Sequence, residues 1–490
     1  GHVQSEQKNR MTGATVARAG VALMLLRIAR RAPSGLSMLL VGAAGYIQLS
    51  SAQALFGYMK TNAYHQFANY TLSVIPLFIL MGALAERAGI ARALFKSAEG
   101  ALGRVRGGLA MSVIGACTAF GAICGSSVAT TATFGRAALP ELLKYKYDAG
   151  FATGTIAVGG TLGILIPPSV ILVVYAITTE QNIAKLFQAA LIPGLLAALF
   201  YCITIAIMVR RNPDLAPPAT VIDIPRTKQP WWPKALGAAI FSAVAVQVVR
   251  GQLAWDLAAV FAGLALLIAV VDVAVMPAIM VAVVVVGGIY GGVFTPTEGA
   301  AVGAIAMLVI GVAQRSLSWN DIIEALRQTA ETSGMIFIIL LGAEIFGAFL
   351  ALSRLPTIAA EIIGGSGLSP YVVLIVMLAF YILLGAVMDE LAMILLTLPV
   401  FFPVIQALDF GMPPDEVAIW FGILVLIVVG IGLTAPPIGL NVFVISSIAR
   451  TVPIRETYRG VLPFLLADVI RLALVVVVPG LALWMVRALN

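Results

Sequence analysis

The stretch 160–169 reads Gly160-Thr161-Leu162-Gly163-Ile164-Leu165-Ile166-Pro167-Pro168-Ser169, and the stretch 432–441 reads Gly432-Leu433-Thr434-Ala435-Pro436-Pro437-Ile438-Gly439-Leu440-Asn441. Each stretch interrupts a long apolar segment. Two adjacent prolines remove two backbone donors and clash with the preceding turn, so each stretch is predicted to break the helix that contains it. In lipid, such a break persists only where protein or a water-filled cavity satisfies the freed carbonyls, which also suit a desolvated cation. Kinks that serve helix packing are the alternative explanation for either break alone.

The composition places the chain in a membrane. Of its 490 residues, 61% are hydrophobic and 11% are charged, with a net charge of +7. A soluble domain has about 45–50% apolar and about 25% charged residues. Apolar segments long enough to cross a hydrocarbon core of ~30 Å recur along the chain, and in lipid they must be helices to satisfy their backbones. We therefore predict an all-α polytopic membrane protein, whose basic residues set orientation in short loops and do not bind nucleic acid.

Two further apolar regions, 105–142 and 369–407, are interrupted near their middles and are predicted to be re-entrant hairpins. Basic residues flank 105–142 on both sides, so both of its ends should be cytoplasmic. Residues 355–449 contain no Lys or Arg, so the second hairpin should enter from the outside. The predicted tips are Gly125-Ser126-Ser127 and Met388-Asp389-Glu390-Leu391.

The two halves of the chain carry matching landmarks at a nearly constant spacing. Pro167-Pro168 and Pro436-Pro437, for example, lie 269 residues apart. Such spacing indicates an internal repeat, and opposite loop charge makes it an inverted one, which is typical of secondary transporters. The predicted domains are a basic, partly amphipathic N-terminal segment 1–34; a first repeat 35–209 with hairpin 105–142 and broken helix 149–177; a cytoplasmic linker and extra transmembrane segments 210–292; and a second repeat 293–490 with hairpin 369–407 and broken helix 418–446.

Residue types at the two tips favour cation binding. The first tip is rich in small hydroxyl side chains, whose oxygens suit a hard cation such as sodium, although small residues also serve helix packing. The second tip places Asp389 and Glu390 inside an apolar run, where a carboxylate needs a partner, either a cation or a proton. The alternative is that the second tip reaches external water and that its carboxylates have no such partner. Glu298 is predicted to cap a helix, and Glu344, Asp272 and Asp468 are interpreted as polar groups in interior packing.

The order of the motifs resembles the large membrane subunit of tripartite ATP-independent periplasmic (TRAP) transporters. The resemblance covers roughly 35–485 and is carried by five ordered motifs, which are Ile75-Pro76-Leu77-Phe78 with Gly82; Gly125-Ser126-Ser127; Leu162-Gly163-Ile164-Leu165-Ile166-Pro167-Pro168-Ser169; Gly292-Val293-Phe294-Thr295-Pro296-Thr297-Glu298; and Thr434-Ala435-Pro436-Pro437-Ile438-Gly439.

The resemblance implies a subunit of the bacterial inner membrane that works with a small four-helix membrane subunit and a periplasmic solute-binding protein. It implies import of an organic acid, such as a C4-dicarboxylate, by sodium-driven, elevator-type movement, with no cofactor other than sodium as the coupling ion. The implied site residues are Ser126, Ser127, Gly160 and Gly163 for a first sodium; Asp389, Glu390, Thr434, Ala435 and Pro436 for a second; and Ser126, Thr130, Asp389 and Asn441 for substrate.

Two features depart from that family. Residues 15–33 carry four arginines and are amphipathic, so either the start of the chain is mis-assigned or this helix lies at the membrane surface. Residues 214–275 add a basic linker and two apolar segments (within 236–271), which are interpreted as a scaffold insertion.

Other classes of protein fit the sequence less well. A stand-alone sodium- or proton-coupled anion symporter of similar architecture, needing no binding protein, remains open. A membrane-embedded enzyme is disfavoured because the only histidines are His2 and His65 and no Ser/Lys or metal-ligand set occurs at a tip. A non-transporting scaffold would have no use for two polar tips, and ATP-driven pumping lacks a phosphate-binding loop.

Overall fold

The computed structural model describes residues 2–30, 32–103, 105–217, 275–365 and 367–489. In these residues the chain forms 21 α-helices and two short 3-10 turns, with no β-strand. The predicted extra segments within 236–271, and Asp272, lie outside the described residues. The helices are α1 His2–Ala29, α2 Ser34–Leu49, α3 Ala52–Phe67, α4 Val74–Arg87, α5 Ile90–Leu102, α6 Gly108–Cys124, α7 Ser127–Ala137, α8 Leu139–Lys144, α9 Ala149–Leu165, α10 Val170–Thr179, α11 Ile183–Arg211, α12 Met276–Tyr290, α13 Pro296–Ala313, α14 Trp319–Leu352, α15 Leu355–Gly365, α16 Pro370–Gly385, α17 Glu390–Gln406, α18 Pro414–Gly432, α19 Leu440–Ile448, α20 Ile454–Val477 and α21 Gly480–Leu489.

The predicted fold class, an all-α polytopic membrane protein, is confirmed. Six helical segments of the described chain are long and apolar enough to cross a membrane, and the bent pair α9 and α10 adds a seventh. The other apolar helices, including α6, α16 and α17 of the hairpins, are shorter, with 10–17 residues.

The chain reverses at both predicted tips. Helices α6 and α7 pack side by side and meet at Gly125, whose φ of 64° lies in the left-handed region that glycine adopts without cost. Helices α16 and α17 form the corresponding pair around residues 386–389. A hairpin followed by a broken helix therefore occurs once in each half of the chain. Entry of the two hairpins from opposite faces of the membrane stays a prediction.

The first helix break is narrower than predicted. Helix α9 continues through Gly160 and Gly163 to Leu165, and the chain then bends by 42° into α10. Ile166 is extended, with φ −88° and ψ 123°, because the residue before a proline is disfavoured in the helical region. In the second half, α18 ends at Gly432, so Thr434, Ala435 and Pro436 lie inside the break as predicted. Both Pro-Pro bonds are cis.

Two helix pairs are held at short range by glycine. Helix α2 packs along α14, where a Cβ on Gly342 would collide with the backbone carbonyl of Gly35. Helix α9 packs along α20, where a Cβ on Gly154 would come within 2.6 Å of the carbonyl carbon of Gly460. Small residues that let backbones approach are typical of helix association in membranes.

The N-terminal segment is helical over 28 residues. Helix α1 lies against α2 and also contacts α14 and α15. Ala17 and Met24 are buried on its packed side, whereas Leu23 and Leu26 are about half exposed. Its placement at the membrane surface stays a prediction.

Candidate functional site

The first hairpin tip rests directly on helix α9 and its break. A Cβ on Gly163 would come within 2.5 Å of the carbonyl oxygen of Ser126, and one on Gly160 within 3.1 Å of that of Ser127. A Cβ on Gly125 would meet the carbonyl oxygen of Pro168 at 2.8 Å. The structure therefore brings Ser126, Ser127, Gly160 and Gly163 together, as the resemblance implied. The glycines are needed because any side chain would push the tip away.

Asn441 joins the second half of the chain to this tip. Its side-chain amide donates to the hydroxyl of Ser127 at 2.7 Å and to the carbonyl of Ala157 at 3.0 Å. Its backbone N–H donates to the carbonyl of Leu433 at 2.9 Å, which holds it at the start of α19. Asn441 and Ser127 are fully buried. Residues from both halves of the chain therefore meet at the candidate site, where Asn441 contacts Ser127 and Ala157.

Several oxygens around this tip have no donor. Among the described residues, the buried Asn441 Oδ1 and Thr131 Oγ1 have no hydrogen-bond partner. The Thr131 hydroxyl lies against Gly160. The carbonyl of Gly163 also lacks its usual helical partner, because position 167 is a proline without an N–H. Buried polar atoms without partners are costly, so these oxygens around the tip are available to a ligand.

Ser126 and Thr130 are engaged within the hairpin itself. The Ser126 hydroxyl caps α7 by accepting from the N–H of Ala129 at 3.4 Å, and the Thr130 hydroxyl donates to the carbonyl of Ser126 at 2.7 Å. Thr130 is fully buried, whereas Ser126 is half-buried and reaches the surface of the tip. Of the two, Ser126 is the better placed to meet a solute.

The first carboxylate of the second tip already has two hydrogen-bond partners. Asp389 caps α17 by accepting from the N–H of Ala392 at 2.9 Å, and its other oxygen accepts from the hydroxyl of Ser34 at 2.9 Å. Ser34 begins α2, and sequence reasoning did not identify it. Glu390 differs, because its buried Oε2 has no hydrogen-bond partner in the described part of the chain. Glu390 therefore offers a free buried oxygen at this tip.

The second break lies against the second hairpin through its backbone. A Cβ on Gly432 would come within 2.7 Å of the Cα of Gly385, the last residue of α16. Thr434 is buried and turns its hydroxyl back to the carbonyls of Gly430 and Ile431, at 3.3 and 3.1 Å. Because Pro436 has no N–H, the carbonyl of Gly432 lacks its usual helical partner. The second break therefore packs against the end of α16, and the Thr434 hydroxyl bonds within its own segment.

Four helices begin at the tips and breaks, namely α7, α10, α17 and α19. The N-terminal end of a helix carries unsatisfied N–H groups and a partial positive charge. Such ends stabilise an anion without a cationic side chain. The site can therefore combine oxygen ligands for a cation with helix ends for a carboxylate.

Other acids have structural partners. The capping role predicted for Glu298 is confirmed, because its carboxylate accepts from the N–H of Thr295 at 2.8 Å while the Thr295 hydroxyl accepts from the N–H of Glu298. Glu344 accepts from the hydroxyl of Tyr58 at 2.6 Å. Asp468, interpreted from sequence as a polar group in interior packing, is buried and is paired with Arg471 at 2.8 Å, a partner that the sequence interpretation did not identify. The acid and the arginine stand one helical turn apart, a spacing that was visible in the sequence.

Comparison with known proteins places this chain in a family of transporters. Residues 21–481 match the profile of the family described as "Tripartite ATP-independent periplasmic transporter, DctM component". The chain is 32% identical over 416 residues to the C4-dicarboxylate TRAP transporter large permease protein DctM of Pseudomonas aeruginosa, covering 85% of this chain and 86% of that protein. It is 29% identical to the sialic acid TRAP transporter large permease protein SiaM of Vibrio cholerae, covering 92% and 94%.

The fold also resembles a solved structure. The YdaH transporter of Alcanivorax borkumensis superposes with a TM-score of 0.56 at 15% identity, covering 96% of this chain and 98% of that one. At this level of identity the similarity concerns the fold alone. An arrangement of this kind is therefore found in another membrane transporter.

Proposed function

Because the chain belongs to the DctM-component family of tripartite ATP-independent periplasmic transporters, and is a large permease subunit of the bacterial inner membrane, we propose that it imports an organic acid by sodium-coupled symport. In this proposal, the hairpins and broken helices move as an elevator against the surrounding helices. A separate binding protein delivers the solute. A stand-alone symporter is the less favoured alternative, since the family is tripartite.

The observation that carries sodium coupling is the buried oxygen cluster at the first tip. Asn441 Oδ1, Thr131 Oγ1 and the carbonyl of Gly163 supply neutral oxygen ligands from two hairpin-and-break units. Neutral oxygens with small polar side chains favour a monovalent cation, and carbonyls of broken helices coordinate sodium in secondary transporters. Ser126, Ser127 and Gly160 complete the first proposed site.

The second proposed site lies between Asp389, Glu390, Thr434, Ala435 and Pro436. The unpartnered Glu390 Oε2 supports a cation or a proton at this tip. Asp389 bonds to Ser34 of α2 and caps α17. In this proposal Asp389 holds the tip closed, and it becomes a cation ligand only when its hydrogen bond to Ser34 is broken.

An organic acid is the proposed solute because both relatives named above are named for solutes that carry carboxylates. Its carboxylate would lie between the tips, near Ser126, Thr130, Asp389 and Asn441, where the N-terminal ends of α7 and α19 are close. A small four-helix membrane subunit and a periplasmic solute-binding protein are the proposed partners.

The test needs no knowledge of the solute. Thermal unfolding of the purified full chain is compared in sodium, potassium and choline chloride at equal ionic strength. Sodium at 100 times its dissociation constant should add about 2.7 kcal/mol to the free energy of unfolding. Ser127→Ala should abolish that increment, because the hydroxyl that orients Asn441 is lost.

Ser112→Ala is the matched control. Ser112 is equally buried in the same hairpin, and its hydroxyl donates to the carbonyl of Gly108 at 2.8 Å, away from the break. This variant should keep the sodium increment. Equal stability in all three salts would overturn sodium coupling and leave a proton at Glu390 as the candidate driving ion.

A further inference from the structure

Helix α20 carries a charged pair that the proposed transport site does not use. The side chains of Asp468 and Arg471 are 2% and 1% exposed and stand one turn apart, with Arg471 Nη2 donating to Asp468 Oδ1 at 2.8 Å. Removing two charges from water is costly, and apolar residues of similar volume often replace such a pair without loss of stability. An ionised pair within a membrane helix therefore calls for a functional explanation.

The pair ties α20 to α11 at two points. The hydroxyl of Tyr201 on α11 lies 2.8 and 2.9 Å from the two carboxylate oxygens of Asp468 and donates to that carboxylate. Arg471 Nη1 donates to the carbonyl of Pro193, also on α11, at 3.3 Å. The ring of Tyr201 packs edge-on against Phe464, with 5.8 Å between the ring centroids. The hydroxyl of Tyr201 is thereby held in one place.

The same hydroxyl reaches helix α9 behind the first tip. Thr161 Oγ1 lies 3.2 Å from the Tyr201 hydroxyl and is fully buried. The Thr161 hydroxyl also donates to the carbonyl of Val158, in its own helix, at 2.7 Å. Since Tyr201 gives its proton to Asp468, Thr161 shares its single proton between Val158 and Tyr201. Thr161 stands between Gly160 and Gly163, the two positions on which the hairpin tip rests. At 100° per residue, its side chain leaves α9 on a different face from theirs.

We propose that Tyr201, Asp468 and Arg471 are positioning residues that fix helix α9 at Thr161 and thereby set the sodium affinity of the first site. A chain of contacts runs from Arg471 and Asp468 through the hydroxyl of Tyr201 to Thr161, which lies beside the proposed cation site. None of the three touches the proposed cation cluster. The proposal rests on the proposed sodium coupling.

The experiment measures the sodium concentration that gives half-maximal thermal stabilisation of the full chain. Tyr201→Phe keeps the ring and removes the link between Thr161 and Asp468. It should raise this concentration by about two- to tenfold, the effect of losing one positioning hydrogen bond. Tyr175→Phe is the matched control, because Tyr175 is also buried and its hydroxyl donates to the carbonyl of Ala418 at 2.7 Å. Tyr175→Phe should lower the melting temperature in potassium without changing the sodium concentration that gives half-maximal stabilisation.

A double variant, Asp468→Asn with Arg471→Met, tests the ion pair without leaving a lone buried charge. It should shift the sodium midpoint in the same direction as Tyr201→Phe. If the unaltered chain responds to sodium and neither variant moves the midpoint more than Tyr175→Phe does, the network is packing alone and the inference fails. If the unaltered chain shows no sodium response, the proposed sodium coupling fails first, and this inference falls with it.

Discussion

Asn441 shows how one residue can unite two distant halves of a chain in a single site. Its amide nitrogen bonds to Ser127, 314 residues away, and to the carbonyl of Ala157, 284 residues away. With both amide hydrogens engaged, its oxygen is fixed in direction and left without a donor among the described residues. A fixed, unpartnered oxygen is pre-organised as a ligand, since no further rotamer freedom is lost when a cation binds.

Asn441→Ala should therefore affect both stability and sodium dependence. Losing the two donated bonds in a buried site should cost about 1–3 kcal/mol in the free energy of unfolding. The proposed stabilisation by sodium should disappear at the same time, because a proposed ligand oxygen is removed. Thermal unfolding in sodium and in potassium measures both effects.

Asn182→Ala separates the two effects. Asn182 caps α11 through the N–H of Lys185 at 3.2 Å, and its removal should cost about 0.5–2 kcal/mol. That variant should retain the full sodium increment. An Asn441→Ala chain that still gains stability from sodium would remove Asn441 from the proposed site.

At the scale of the helices, glycine contacts decide where close packing is possible. Gly342 on α14 faces the backbone carbonyl of Gly35 on α2, whereas Gly334, also on α14, has no heavy atom within 4 Å of an added Cβ. The same helix therefore offers one glycine that packing requires and one that it does not.

Gly342→Ala should destabilise the chain and Gly334→Ala should not. Forcing α2 away from α14 should cost about 1–3 kcal/mol. At Gly334, alanine has free space and a better helix propensity, so stability should rise by up to about 1 kcal/mol. Thermal unfolding of both variants in one detergent tests the pair, and an equal response would contradict the packing in this region.

The elements that could be predicted from the sequence are those marked by a local residue pattern. Paired prolines located both breaks, and acids or small hydroxyl residues inside apolar runs located both tips. The extent of the first break was not readable, because helix α9 persists through Gly160 and Gly163 until the residue before Pro167 must leave the helical region. Those glycines admit the hairpin tip and do not unwind the helix.

The remaining site residues depend on tertiary contacts. Thr131 is included in the proposed site only because its hydroxyl lies against Gly160. Ser34 is included only because α2 begins beside Asp389. Tyr201 meets Asp468 across 267 residues, which no local pattern encodes. Arg471 was accessible to sequence reasoning through its spacing from Asp468, but single acids in apolar helices were interpreted as packing groups.

At the scale of the whole molecule, few polar contacts join the hairpins to the helices that surround them in the part of the chain that the structure describes. We call α2, α3, α4, α13 and α14 the frame, since α2, α4 and α13 each pack against α14 or against one another, and α3 against α2. One hydrogen bond joins Ser34 of the frame to the second tip at Asp389. One ion pair joins Glu86 at the end of α4 to Arg136 near the end of the first hairpin. An elevator movement would have to break both contacts.

Linking the frame to the first hairpin should therefore stop transport. In a chain whose three cysteines are replaced, Glu86→Cys and Arg136→Cys are joined by a short bifunctional thiol reagent. The ion pair places the two side chains in contact, so the link should form readily and hold the hairpin against α4. Uptake of labelled organic acid with the cognate binding protein should be abolished by the link and restored when a cleavable reagent is reduced.

A link inside the frame is the matched control for this prediction. Tyr58→Cys with Glu344→Cys joins α3 to α14, two helices of the frame whose side chains are hydrogen-bonded at 2.6 Å. If the hairpins move against a stationary frame, this second link leaves uptake unchanged, because neither end moves relative to the other. Equal loss of uptake from both links would indicate that the frame itself rearranges. Undiminished uptake with the first hairpin linked to α4 would contradict elevator movement of that hairpin.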